Sequence, residues 1–223
     1  MHIRKDCFRK GYLRKAIKIS LPVGFEHFVV CAAQITSTKI VAPLGIVAIA
    51  ANSFGITAEA LCYMPGYGIA DAATTLVGQG IGAKKENVAK YFAKISTMIG
   101  MVLMSAMAVI IFFAAPYIMA MLSADAKVVA LGTKILRIEM FAEPMYAASI
   151  VASGALRGAG DTFVPSLMNF GSIWLVRMPL SYLLSLSMGL RGMWFAMCIE
   201  LIFRGSIFLY RLFKVRKAKN RIQ

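Results

Sequence analysis

Six stretches of this chain stay apolar for longer than a soluble core helix needs, near 16–41, 46–70, 96–122, 128–155, 163–188 and 190–212. Crossing a hydrocarbon core of about 30 Å takes roughly 20 helical residues, so each stretch is long enough to span a bilayer. The runs are continuous and do not alternate over about ten residues, which excludes a transmembrane barrel. The pattern predicts an all-α membrane protein. Its core is a six-transmembrane-helix bundle over 19–212, flanked by a basic tail at 1–18 and another at 213–223.

The breaks carry turn chemistry: Ala42-Pro43-Leu44-Gly45, the Gly-rich run from Gly78 to Lys85, Ser123-Ala124-Asp125, Gly158-Ala159-Gly160-Asp161 and Met188-Gly189. Connections this short make successive helices antiparallel. Gly78, Gly80 and Gly82 are expected to let the chain leave the helix with positive φ. Lys84 and Lys85 then complement the exposed carbonyl end and meet lipid phosphates. Arg157 and Asp161, four apart across a glycine turn, are expected to clamp that cytoplasmic turn. Pro22, Pro65, Pro116, Pro144 and Pro179 fall inside spans, and Pro65-Gly66 is the strongest candidate for a bend. Simple packing is the competing role for these residues.

Composition agrees with membrane embedding: 59% of residues are hydrophobic, mean hydropathy is +0.71 and only 16% are charged, more apolar than a soluble surface allows. The +15 net charge could indicate nucleic acid, but the Lys and Arg cluster in segments flanking the spans, so anionic lipid is the expected counter-charge and nucleic acid is not. Eighteen basic residues fall on the side of the two tails, against Lys39, Lys127 and Arg191 on the other. The positive-inside rule then places both termini in the cytoplasm, and the first apolar run, containing Glu26, reads as an uncleaved helix. Cys7, Cys31, Cys62 and Cys198 are too scattered for a disulfide framework or metal cluster and read as buried, inert thiols.

Six of the ten acidic residues (Glu26, Glu59, Asp71, Glu139, Glu143, Glu200) lie inside the apolar stretches. A carboxylate in hydrocarbon costs about 2.5–3.5 kcal/mol even on lenient scales, so it persists where it faces protein, water or a cation. Counting helical rise puts Glu26, Glu59, Glu139, Glu143, Arg177, Glu200 and Arg204 near mid-bilayer and Asp71 near the cytoplasmic boundary. Glu139 and Glu143 share one helix face and repel when both are ionised, so the pair is suited to exchange a proton for a cation. One of them pairing with Lys134, Arg137 or Arg177 is the structural alternative. Glu26 and Glu59 are further candidates for an ion-coupling or substrate cavity. Glu200 and Arg204, at i, i+4, are expected to form an ion pair that joins Arg177 in a structural charge cluster.

Three motifs carry a resemblance. Met64-Pro65-Gly66-Tyr67-Gly68 with Ala72 to Lys85 is similar to the second helix of the C-terminal lobe of multidrug and toxic compound extrusion (MATE) transporters. Gly154-Ala155-Leu156-Arg157-Gly158-Ala159-Gly160-Asp161-Thr162 resembles the turn after that lobe's fourth helix, and Trp174-Leu175-Val176-Arg177-Met178-Pro179-Leu180 its fifth. The resemblance implies one lobe of a twelve-helix antiporter that works by alternating access. Such a protein uses a proton or sodium ion, and no other cofactor, to extrude amphipathic, mostly cationic drugs. It also implies that Glu26 fits the Pro-x-x-x-Glu form of some bacterial members, whereas other branches place the acid where this chain has Val30.

The expected partners are membrane lipid, small cationic organic substrates and a second six-helix lobe, either an N-terminal half or another copy. The expected location is the bacterial inner membrane. A truncated, transport-inactive remnant and a lipid-linked substrate flippase remain the alternatives. An enzyme is not expected: neither H-E-x-x-H nor G-x-S-x-G occurs, and the Gly78–Lys85 run follows a helix and lacks the P-loop spacing.

Overall fold

The computed structural model describes residues 10–214, all of them helix or short connection. The tails are thus only partly visible: 1–9 and 215–223 lie outside the described residues, as does Cys7, and the first helix already begins at Lys10, inside the predicted tail. The helices are α1 (Lys10–Val41), α2 (Ile46–Gly82), α3 (Glu86–Leu122), α4 (Ala126–Met140), α5 (Glu143–Gly158), α6 (Phe163–Gly171), α7 (Met178–Met188) and α8 (Leu190–Lys214). A π-helical segment, Ser172–Arg177, joins α6 to α7.

Four helices are by themselves long and apolar enough to cross a membrane: α1 from Ser20, α2, α3 and α8. The other two crossings are composite, α4–α5 and α6–π–α7, and proline explains both interruptions. Pro144 has no N–H to give the Met140 carbonyl, so Ala142 N–H turns to Glu139 O at 2.8 Å and α5 restarts from Ala142. Pro179 does the same at the start of α7, preceded by the wide π turn in which Met178 N–H reaches Ile173 O. Pro65, the expected bend, sits inside one uninterrupted α2.

The Gly78–Lys85 turn departs from expectation. Helix α2 runs through all three glycines, and the positive φ falls on Lys84 at 58°. Ala83 N–H, Lys84 N–H and Lys85 N–H close the end on Gln79, Ile81 and Gly80 carbonyls at 2.9 Å each, so carbonyl satisfaction offsets a left-handed lysine that costs roughly 1–2 kcal/mol. Gly80 serves packing instead: a Cβ there would stand 3.0 Å from that of Ala89 on α3. With 37 residues each, α2 and α3 are about 55 Å long, well past the hydrocarbon thickness, and the turn between them lies beside the end of α8. At the opposite side, Asp125 caps α4 by accepting Lys127 N–H at 2.8 Å.

Helix α5 is the axis of the bundle. Ala147 to Leu156 is buried without interruption, a small and apolar run in which Ser149 and Ser153 are the polar positions. It packs on α2, α3 and α8, and small residues set the approach. A Cβ on Gly154 would lie 2.6 Å from Ala70 O of α2, one on Gly100 would lie 2.7 Å from Val151, and Gly205 of α8 sits against the backbone of Met145. Across the α2–α5 seam, Thr74 Oγ1 donates to Gly154 O at 2.8 Å. Helix α1 packs on α6 and α7 and touches α2 far less, leaving a space between them. Of the thiols, Cys62 and Cys198 are buried as expected, but Cys31 is exposed on α1.

Candidate functional site

The space beside α1 is a cavity of about 590 Å³ bounded by α1, α2, α5, the π segment and α8. Its wall is polar in a molecule otherwise dominated by apolar contacts. Glu26, Glu59 and Asp71 supply carboxyls, Arg157, Arg177 and Arg204 supply guanidiniums, and Tyr63, Tyr67, Tyr146 and Trp194 supply aromatic faces. The size matches clefts that hold drug-sized molecules.

Glu26, one turn beyond Pro22, is the most heavily bonded of the acids. Its carboxylate accepts both contacts from one Arg157 nitrogen at 2.8 and 2.9 Å, the Ser166 hydroxyl at 2.8 Å and the Asn169 amide at 2.7 Å. One side chain thereby ties α1 to the end of α5 and to α6. The expected Arg157–Asp161 clamp does not form: Asp161 instead accepts from Arg211 of α8 and, at 3.4 Å, from Val164 N–H. The cause is direction, because Arg157 lies in the last turn of α5 on the cavity face, where Glu26 stands, whereas Asp161 follows the turn.

Glu59 is buried in the cavity wall and accepts no hydrogen bond among the described residues, although Arg177 and Arg204 are both near enough to act on it. Glu200 and Arg204 do pair, at 3.3 Å, and the Ser172 hydroxyl of the π segment donates to the same Glu200 oxygen. Arg204 also stacks on Tyr146, 5.4 Å from the ring centre. Arg177 stays outside that cluster, lying against the Met197 sulfur with no ion pair among the described residues.

Glu139 and Glu143 are fully buried but do not line the cavity. They flank the α4–α5 break behind its wall, and neither carboxyl has a hydrogen-bond partner among the described residues. The alternative pairing is not seen either: Arg137 donates to Phe112 O at 3.2 Å and stacks on that ring. Cys62 lies beside Glu143, but its thiol points to the Met104 carbonyl at 3.7 Å.

Several wall residues were not singled out from sequence. Asn52 accepts from the Trp194 indole at 3.0 Å, Asn169 holds Glu26, and three tyrosines surround Glu59 and Arg204. An asparagine within an apolar run is itself a signal, since a buried amide needs a partner; the tyrosines carry no such mark. Asp71, read as a boundary residue, is exposed and stands at the rim.

Relatives of known family share this architecture. The chain is 32% identical over 215 residues to the probable multidrug resistance protein NorM of Chromobacterium violaceum, covering 93% of this chain and 46% of the relative. Against NorM of Thermotoga maritima the figures are 28%, 87% and 42%. The backbone superposes on the Vibrio cholerae MATE transporter VcmN with TM-score 0.88 at 15% identity, covering 96% of this chain and 49% of that one. A MOP-superfamily transporter from Pyrococcus furiosus, reported to have a binding pocket of reverse polarity, gives TM-score 0.85 at 18% identity over 92% of this chain and 45% of that chain. The chain therefore spans about half the length of the relatives it matches. The MatE family profile aligns with residues 22–183, most of the bundle and every cavity-lining element except α8, and the chain belongs to the MATE family.

Proposed function

We propose that the chain is one lobe of a cation-coupled exporter of amphipathic, mostly cationic organic compounds, acting with a second six-helix lobe in a bacterial inner membrane, both termini cytoplasmic. The single observation that carries this reading is Glu59: a buried carboxyl on the wall of a drug-sized cavity, near tyrosines and without a hydrogen-bond partner among the described residues. Such a group can hold a proton, a sodium ion or a substrate cation in turn, and the aromatic faces favour organic cations. Glu139 and Glu143 stand behind the same wall and supply further exchangeable carboxyls.

The cycle follows from charge balance. Glu26 is satisfied by Arg157 and Glu200 by Arg204, so these pairs hold helices together, while Glu59, with Arg177 and Arg204 near but bonded elsewhere, keeps its oxygens open to cargo. Binding of the coupling ion at Glu59 neutralises it and releases a cationic substrate, and loss of the ion restores the site. Neutralisation of Arg157 and Arg204 leaves Arg177 as the unpaired cation on the wall, too little for the pyrophosphate head of a lipid-linked sugar.

The test is accumulation of a fluorescent organic cation in efflux-deficient cells expressing the chain alone and with a matching N-terminal lobe. Lower accumulation that Glu59→Gln abolishes, at unchanged membrane abundance, supports the reading. Equal accumulation with and without the chain, in both pairings, identifies it as a transport-inactive remnant.

A further inference from the structure

A second cavity, of about 500 Å³, lies on the other flank of the α2–α5 pair, among the ends of α2, α3, α5 and α8. Val77, Ala89, Ala155 and Leu156 make a buried apolar floor, while Ile81 and Phe213 at the mouth are exposed. Lys90 and Lys94 rise from one edge, four apart and hence one above the other on α3. Lys94 is held over the groove by the Phe213 ring, 5.4 Å from its nitrogen. Lys90 meets Glu86 only at 4.0 Å with both side chains about half exposed, a contact that a phosphate displaces at little cost. Lys84 and Lys85 lie in the neighbouring turn.

We infer that this groove is a site for one anionic phospholipid of the leaflet at the α2–α3 turn. An acyl chain fills the apolar floor and the phosphate sits between Lys90 and Lys94. Depth supports the assignment: these lysines lie near the start of α3, where a helix longer than the hydrocarbon thickness emerges into the headgroup layer. Charge complementarity selects the occupant, because a neutral chain segment would use the floor but give Lys90 only its long contact to Glu86 and Lys94 only the Phe213 ring. The site is separate from the polar cavity, so it stands or falls independently of export.

Native mass spectrometry of the purified full chain, released from vesicles of phosphatidylglycerol or phosphatidylcholine with matched acyl chains, reads the site directly. At least fivefold more retained phosphatidylglycerol than phosphatidylcholine is expected. Lys90→Gln with Lys94→Gln removes that preference, and Ala159→Phe, which fills the groove rim without changing charge, lowers retention of both lipids. Lys84→Gln with Lys85→Gln carries the same charge change outside the lining and retains the lipid. Equal retention of the two lipids by the parent, equal loss in the control pair, or full retention by Ala159→Phe each overturns the assignment. A lipid-free dimer that dissociates with the Lys90 and Lys94 changes overturns it too, giving the groove to a second copy.

Discussion

Replacing Glu26 by Gln isolates the junction of α1, α5 and α6. The side chain of Glu26 is 13% exposed and that of Arg157 is 30% exposed, so the pair is screened on one side only. Gln keeps one acceptor oxygen, which can serve Arg157 and Asn169. Its amide nitrogen then faces Ser166, whose hydroxyl can turn its one proton from residue 26 to Thr162 O, 3.0 Å away, and accept instead. The change therefore removes one charge-assisted bond and the countercharge of Arg157. A charged hydrogen bond contributes about 1.5–3 kcal/mol. An unpaired, fully buried charge costs about 3–5 kcal/mol, a figure that partial hydration of Arg157 reduces. The expected loss is about 2–3 kcal/mol, with the double change Glu26→Gln and Arg157→Gln recovering most of it. Arg157→Gln alone costs less, because Ser166 and Asn169 still hold the carboxylate. Equilibrium unfolding in mixed micelles, followed by fluorescence of Trp174 and Trp194, measures all four corners of the cycle. Strictly additive single changes, or Glu26→Gln as stable as the parent, refute the argument that this pair ties α1 to the bundle.

The same unfolding assay checks five further substitutions. Gly154→Ala, whose methyl meets Ala70 O at 2.6 Å, destabilises by about 1–3 kcal/mol, whereas Gly171→Ala, with open space around it, stabilises by roughly 0.5–1 kcal/mol. Asn52→Leu strands the Trp194 indole N–H and costs about 1–3 kcal/mol. Glu139→Met removes a buried carboxyl that no group among the described residues bonds, so stability is unchanged or higher; a loss above about 2 kcal/mol reveals an ionised partner. Glu200→Gln leaves Arg204 largely buried without its counterion and costs about 3–5 kcal/mol.

Hydrophobic run length alone dictates an all-helical membrane bundle, because lipid offers no partner to an unsatisfied backbone and leaves helix as the answer for a continuous apolar run. Local chemistry also placed the turns at Gly45, Gly160 and Gly189, each with positive φ, and the Glu200–Arg204 pair one turn apart. Partners from distant segments were not legible. Arg157 bonds a residue 131 positions away, Asp161 one 50 away, and Trp194 one 142 away. Which of two nearby charges a guanidinium chooses depends on the rotation of its helix about its own axis, and packing against neighbours sets that rotation. The same reason separates Glu59, turned to the cavity, from Glu139 and Glu143, turned behind its wall: hydropathy records depth in the membrane, and only tertiary packing decides which way a buried side chain faces.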